Sequence, residues 1–174
     1  EPHLEAAREI ARRMNADFGT DFPEPKRFAT KGEYVPSLSG EGKMSKSVEG
    51  SYILLTDGLD EIRGKLAKAP TDAGGPGKLP KDGPVANLFK FVELFKPQRL
   101  EYYASLYEQG KLRYSELKEE LAMAVHEELK PMQDKRNKLT DEYMDEVIRN
   151  GAERARRVAA EVVKEVKIKM GLLI

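Results

Sequence analysis

The stretch Gly40-Glu41-Gly42-Lys43-Met44-Ser45-Lys46-Ser47-Val48-Glu49-Gly50 carries three glycines, two lysines, two serines and little that could be buried. It reads as the tip of a loop over residues 37–50, and loops are where function concentrates. Lys43 and Lys46, three apart and separated by small hydroxyl side chains, can set two ammonium groups and two hydroxyl donors around one polyphosphate. Such a site suits a step in which pyrophosphate leaves, because charge builds on the β and γ oxygens as the α-phosphate is attacked. A loop can close for that step and reopen for release. A loop of lysines and serines is ordinarily just solvated, and composition by itself favours that reading. What weighs against it is the identity of the string and its surroundings.

Upstream of the loop, Leu4, Ala7, Ala11 and Met14 step by three and four, which predicts a helix over residues 3–16 closed by residues 15–19. Phe22-Pro23-Glu24-Pro25 cannot continue it, and Tyr34-Val35-Pro36 reads as a short extended segment, because a residue before proline is pushed out of the α region. Downstream, Tyr52-Ile53-Leu54-Leu55 is a short strand or turn approach. Asp57 or Asp60 is placed to cap a helix carrying Leu59, Ile62, Leu66 and Ala69. Residues 70–84 hold four of the ten prolines and four of the fourteen glycines, and form the expected internal boundary.

Beyond residue 84 the pattern is helical nearly throughout. Val85, Leu88, Phe89, Val92 and Phe95 make one helix ended by Pro97, and Leu100, Tyr103 and Tyr107 begin the next. Leu117, Leu121, Val125 and Leu129 make a third, with a kink expected at Pro131. The last helix places Ala155, Ala159, Val162, Val166 and Met170 on one stripe. Antiparallel helices with short connections are bundle architecture.

The chain has 174 residues with 30 Lys+Arg, 30 Asp+Glu and no cysteine. Absence of cysteine excludes a disulfide framework, a thiol nucleophile and Cys-ligated metal, and fits a reducing compartment. No apolar run approaches the roughly twenty residues of a membrane helix. Zero net charge argues against coating nucleic acid by bulk electrostatics, although a local basic face remains open. Of the two histidines, His3 opens a helix and His126 lies between Val125 and Glu127 on one; neither has a partner in sequence that makes a metal site.

Lys43-Met44-Ser45-Lys46-Ser47 is the second signature of class I aminoacyl-tRNA synthetases, and it stands where their pattern expects it, before a helical domain. The likeness continues through His3-Leu4-Glu5, Arg8-Glu9-Ile10-Ala11-Arg12-Arg13 and Asn15, through Phe22-Pro23-Glu24-Pro25, Ala69-Pro70-Thr71-Asp72 and Asn87-Leu88. Leu129-Lys130-Pro131-Met132-Gln133, Gly151-Ala152-Glu153-Arg154-Ala155 and Met170-Gly171-Leu172 complete it. On these residues the chain resembles the tryptophanyl-tRNA synthetase family over essentially its whole length.

The resemblance implies ATP-dependent activation of tryptophan and its transfer to tRNA. It implies a mainly α chain: residues 1–69 as the C-terminal part of a Rossmann-like α/β nucleotide-binding domain, 70–84 as a connection and 85–174 as an α-helical, anticodon-binding type bundle. Lys43 and Lys46 would stabilise the triphosphate and the leaving pyrophosphate, Lys46 above all the transition-state charge. Ser45 and Ser47 would donate to phosphate or hold the loop. The backbone at Met44 and Tyr34 would lie near the adenine; packing on the loop base is an equal reading of the Tyr34 side chain. Mg²⁺ would come with ATP without a protein site of its own. The family further implies a cytoplasmic homodimer.

Two departures qualify this. The family's first signature, of the His-Ile-Gly-His kind, its tryptophan-specificity helix and its Asp-Gln pair are absent and expected ahead of Glu1, so the chain is expected to be a C-terminal half, inactive alone. Val48-Glu49-Gly50 replaces a continuation in which asparagine is common. The final helix carries six basic side chains against Glu153, Glu161 and Glu165, which suits phosphate contacts but equally a solvated face. A tyrosyl-tRNA synthetase fragment and a non-catalytic helical RNA-binding or adaptor module remain as alternatives.

Overall fold

The computed structural model describes residues 2–30, 32–73 and 76–173. Among the described residues six helices follow in order: α1 (Pro2–Phe18), α2 (Leu59–Lys68), α3 (Gly83–Phe95), α4 (Leu100–Glu108), α5 (Tyr114–Arg136) and α6 (Asp141–Lys169), with a 3₁₀ turn at Pro97–Arg99 before α4. Among the described residues there is no strand; the single β pairing is an isolated antiparallel bridge between Pro36 and Lys43. The chain is therefore helical, as its periodicity requires. The chain divides into two compact units, Thr30–Lys138 and Glu1–Ala29 with Leu139–Ile174.

In the unit Thr30–Lys138, the spacing Ile62, Leu66, Ala69 turns one face of α2 inward, and Leu117, Leu121 and Val125 do the same for α5. Ile62, Leu66 and Leu117 reach 0% exposure, and each such side chain contributes about 1.5–3 kcal/mol on leaving water. Phe91, Leu88 and Val92 of α3 close the cluster, with Tyr103 and Tyr107 from α4. The core thus crosses the Pro/Gly-rich connection: residues on both sides of 70–84 share one apolar cluster. Polar contacts reinforce the α2–α5 seam. Arg63 forks onto the Glu119 carboxylate at 2.6–3.1 Å, and Lys118 Nζ donates to the last carbonyls of α2, at Ala67 and Ala69.

One local expectation is corrected. Neither Asp57 nor Asp60 caps α2: its N-cap is Gly58, whose amide donates to Glu61 Oε2 at 2.7 Å. Asp57 is instead buried, accepting from the Leu54 amide and pairing with Lys65. Of the two readings of residues 52–55, strand or turn approach, the turn approach holds, closed by Asp57 N donating to Leu54 O. Finally, α5 is one helix through Pro131 to Arg136.

In the unit Glu1–Ala29 with Leu139–Ile174, the segment after α1 folds back along it. Gly19 ends the helix at φ +64°, a conformation that suits glycine, and its amide donates to Asn15 O. The Asn15 side chain accepts from Thr20 and Phe22 and donates to Phe22 O. Arg12 forks onto Glu24 and Arg8 Nε donates to Pro25 O, so Phe22-Pro23-Glu24-Pro25 is held as a strap. Thr140 caps α6 by accepting from Tyr143 N. Although α6 is amphipathic, it buries none of its residues, and the stripe through Val162 and Met170 is exposed.

Candidate functional site

The lysine-bearing loop is built as a tight double turn. Met44 N donates to Val35 O at 2.9 Å and Ser37 N to Gly42 O at 3.0 Å, which pairs the two sides of the first turn. Gly40 and Gly42 make the reversal at φ +96° and +67°. A Cβ on Gly40 would stand 2.7 Å from Pro84 Cγ, so only glycine lets the turn lie against the start of α3. One turn further along α3, Asn87 Nδ2 donates to Ser37 O at 3.0 Å and pins the loop base to the helical core. The second turn is closed by Ser51, 1% exposed: its hydroxyl donates to Ser45 O at 2.6 Å and accepts from Ser45 N at 3.3 Å.

These turns line a cleft of about 560 Å³. Tyr34, Val35, Lys43, Met44, Ser45 and Lys46 form one side, and residues 52–56 form the other. Of the side chains expected from sequence, Tyr34, Lys43, Met44, Ser45 and Lys46 come together here. Ser47 is exposed just past the cleft, its amide donating to Ser45 Oγ. Lys43 and Lys46 are exposed, and neither ammonium has a hydrogen-bond or ion-pair partner among the described residues. Met44 is half-buried and packs against the core cluster, anchoring the string between its two lysines.

Sequence reasoning missed the far wall. Residues 52–56 had an apolar signal, but nothing in it said that the segment would face the lysines. Their position is set from behind: Gln133 Nε2 on α5 donates to Leu55 O and Asp57 O at 2.9 and 3.0 Å, and Lys65 pairs with Asp57 while standing 5.2 Å from the Tyr52 ring centre. The charge of the buried Asp57 is thereby neutralised, as a buried carboxylate requires. The cleft thus offers two uncompensated cations beside a largely apolar wall, an arrangement suited to a flat apolar ring with a polyanionic tail. Glu33 is the one carboxylate among the lining residues, and among the described residues no group of three or more His, Cys, Asp or Glu could hold a metal. His3 is exposed on α1, and His126 has a buried Nδ1 without a hydrogen-bond partner.

A helical chain that presents this lysine string on a turn braced by its core has the makings of a class I tRNA synthetase. The family described as tRNA synthetases class I (W and Y) matches residues 1–130, and the chain belongs to it. Its curated relatives include tryptophan–tRNA ligases from Porphyromonas gingivalis, 38% identical over 96% of this chain and 53% of that protein, and from Wolinella succinogenes, 35% identical over 98% and 54%. Among solved structures, the tryptophanyl-tRNA synthetase of Campylobacter jejuni, complexed with ADP and tryptophan, is similar with a TM-score of 0.71, at 28% identity over 97% of this chain and 53% of that one. The fold of the Mycoplasma pneumoniae tryptophanyl-tRNA synthetase is also similar, at TM-score 0.77 and 23% identity, with the same coverages. The chain spans about half the length of the curated relatives it matches.

Proposed function

We propose that this chain is the C-terminal half of a tryptophan–tRNA ligase and supplies the phosphate side of its ATP site. The observation that carries the reading is the cleft with Lys43 and Lys46 at its rim, both free of partners among the described residues. In this reading residues 1–69 complete a Rossmann-like nucleotide-binding domain, residues 70–84 connect, and residues 85–174 are the anticodon-binding helical domain of a cytoplasmic homodimer. Adenine lies toward Tyr34 and the Met44 backbone, and the triphosphate toward the lysines. As the tryptophan carboxylate attacks the α-phosphorus, negative charge moves onto the departing pyrophosphate, and the Lys46 ammonium meets it there. Lys43 holds the triphosphate in the ground state as well, and Ser45 and Ser47 donate from the loop. Mg²⁺ would come with ATP and would supply neutralisation of phosphate charge, with no residue of this chain assigned to hold it.

Lys46→Ala in the complete enzyme tests this. An interaction made chiefly in the transition state should, when removed, lower tryptophan-dependent ATP–pyrophosphate exchange about 10²-fold or more while leaving tryptophan affinity nearly unchanged. An unchanged exchange rate would falsify the role. Running the same assay with tyrosine decides amino-acid identity, since tyrosine-dependent exchange would make the protein a tyrosyl enzyme. No exchange with either amino acid would favour a non-catalytic RNA-binding module.

A further inference from the structure

We infer that Ser51 is a positioning residue that sets the geometry of the two lysines by latching the backbone between them. Ser51 lies outside the lysine string, five residues past Lys46, yet every polar atom it owns is spent on the loop. Its amide donates to Val48 O at 3.2 Å, its carbonyl accepts from Leu38 N at 2.9 Å, and its hydroxyl both donates to Ser45 O and accepts from Ser45 N. One buried residue therefore ties the closing limb of the loop to Ser45 between Met44 and Lys46 by its side chain, and to Leu38, itself 3% exposed and in the hydrophobic core, by its backbone carbonyl.

The physical consequence concerns preorganisation. Lys43 and Lys46 are exposed and hold no partner among the described residues, so nothing of their own fixes where their ammonium groups stand. Their origins are fixed through the backbone: at Lys43 by the bridge to Pro36, and at Ser45, immediately before Lys46, by the Ser51 hydroxyl together with the Val48 amide on its carbonyl. Electrostatic stabilisation of a developing charge is effective when the donors need no reorganisation at the moment of reaction. Cutting the latch takes the partner from the Ser45 amide, leaves the Ser45 carbonyl with the Val48 amide at 3.2 Å alone, and lets Lys46 wander. The loss should fall on the rate of the chemical step, with tryptophan binding nearly unchanged, because Ser51 is not among the residues that line the cleft and acts only on the loop backbone.

This inference rests on the proposed role of Lys46, and the experiment separates the two. In the complete enzyme, Ser51→Ala, Lys46→Ala and the double variant are compared by ATP–pyrophosphate exchange, with KM for ATP and for tryptophan measured separately. Ser51→Ala should lower kcat about tenfold, with the tryptophan KM within twofold of wild type. In the Lys46→Ala background the same substitution should cost less than twofold, since a latch that works through Lys46 has nothing left to position. A residue that merely supports the fold would slow both backgrounds equally. Trypsin gives a readout independent of activity: cleavage after Lys43 and Lys46 should run several-fold faster in Ser51→Ala. If Ser51→Ala does not fold, Ser51→Cys, which keeps most of the volume but is a weak hydrogen-bonding group, should show the same pattern in smaller degree. The latch is overturned by a wild-type rate in Ser51→Ala, or by an undiminished effect in the double variant. A wild-type rate in Lys46→Ala overturns the functional reading beneath it, and the latch with it.

Discussion

Gly40 decides whether the lysine string can exist in its observed form. Its φ of +96° and the 2.7 Å approach to Pro84 Cγ leave no room for a side chain, and Pro70 Cγ would stand 3.3 Å from the same Cβ. Gly40→Ala should therefore cost about 1–3 kcal/mol in urea unfolding, with the loop rather than the helices displaced. A midpoint equal to wild type would mean that the turn relaxes freely. At this scale the sequence was legible in the lysine string: Lys43, Ser45 and Lys46 were read from their types and spacing, Met44 from the family resemblance, and all four line one cleft. It was illegible in what braces them. Ser51 and Asn87 carry no chemical signature, and their roles depend on loop atoms brought close only by folding.

At the scale of elements, α2 and α5 were readable because apolar residues every three or four positions can be buried only as helical faces. Their ends were less so. Asp57 was a sound cap by residue type, but its carboxylate is claimed by Lys65 and the Leu54 amide, and Glu61 takes the Gly58 amide instead. The α4–α5 contact yields a pH dependence. Burial first, then the hydrogen bond to Glu120, push the Tyr103 phenol from 10.0 up to about 12. Tyr107 and Tyr114 are raised too, the former mainly by donating to Asp72, the latter by burial and then Asp72. The folded state then holds these protons more tightly than the unfolded chain, so their contribution is complete below pH 10 and fades as pH rises from 10 toward 12. Urea midpoints measured between about pH 10 and pH 12 should fall, and those of Tyr103→Phe, which cannot ionise, should fall less steeply. Equal slopes in the two proteins would remove Tyr103 as a source.

For the molecule as a whole, the notable point is what one chain of this length can do. It carries the lysine string, the cleft and a helical core, while spanning about half of its relatives. Under the proposed function, residues 1–174 alone should give no amino-acid-dependent ATP–pyrophosphate exchange, and the complete polypeptide should give it. Exchange by the 174-residue chain alone would show that its cleft is a whole active site. The connection over 70–84 shows how the whole constrains the part: it reads as a boundary from its prolines and glycines, yet α2 before it and α3 and α5 after it bury their faces in one cluster.

The amino-acid sequence by itself determined the helical character and the charge and hydroxyl pattern of the lysine string, because both are local: periodicity fixes which face of a helix is apolar, and residue type fixes charge and hydrogen-bonding capacity. Only the tertiary structure decided that residues 52–56 face the lysines and that Ser51 and Asn87 hold the loop. The same holds for Asp57, which serves Lys65 rather than a helix cap. Those facts depend on distances between segments 6 to 78 residues apart, set by how side chains compete for burial and for partners once the core has closed.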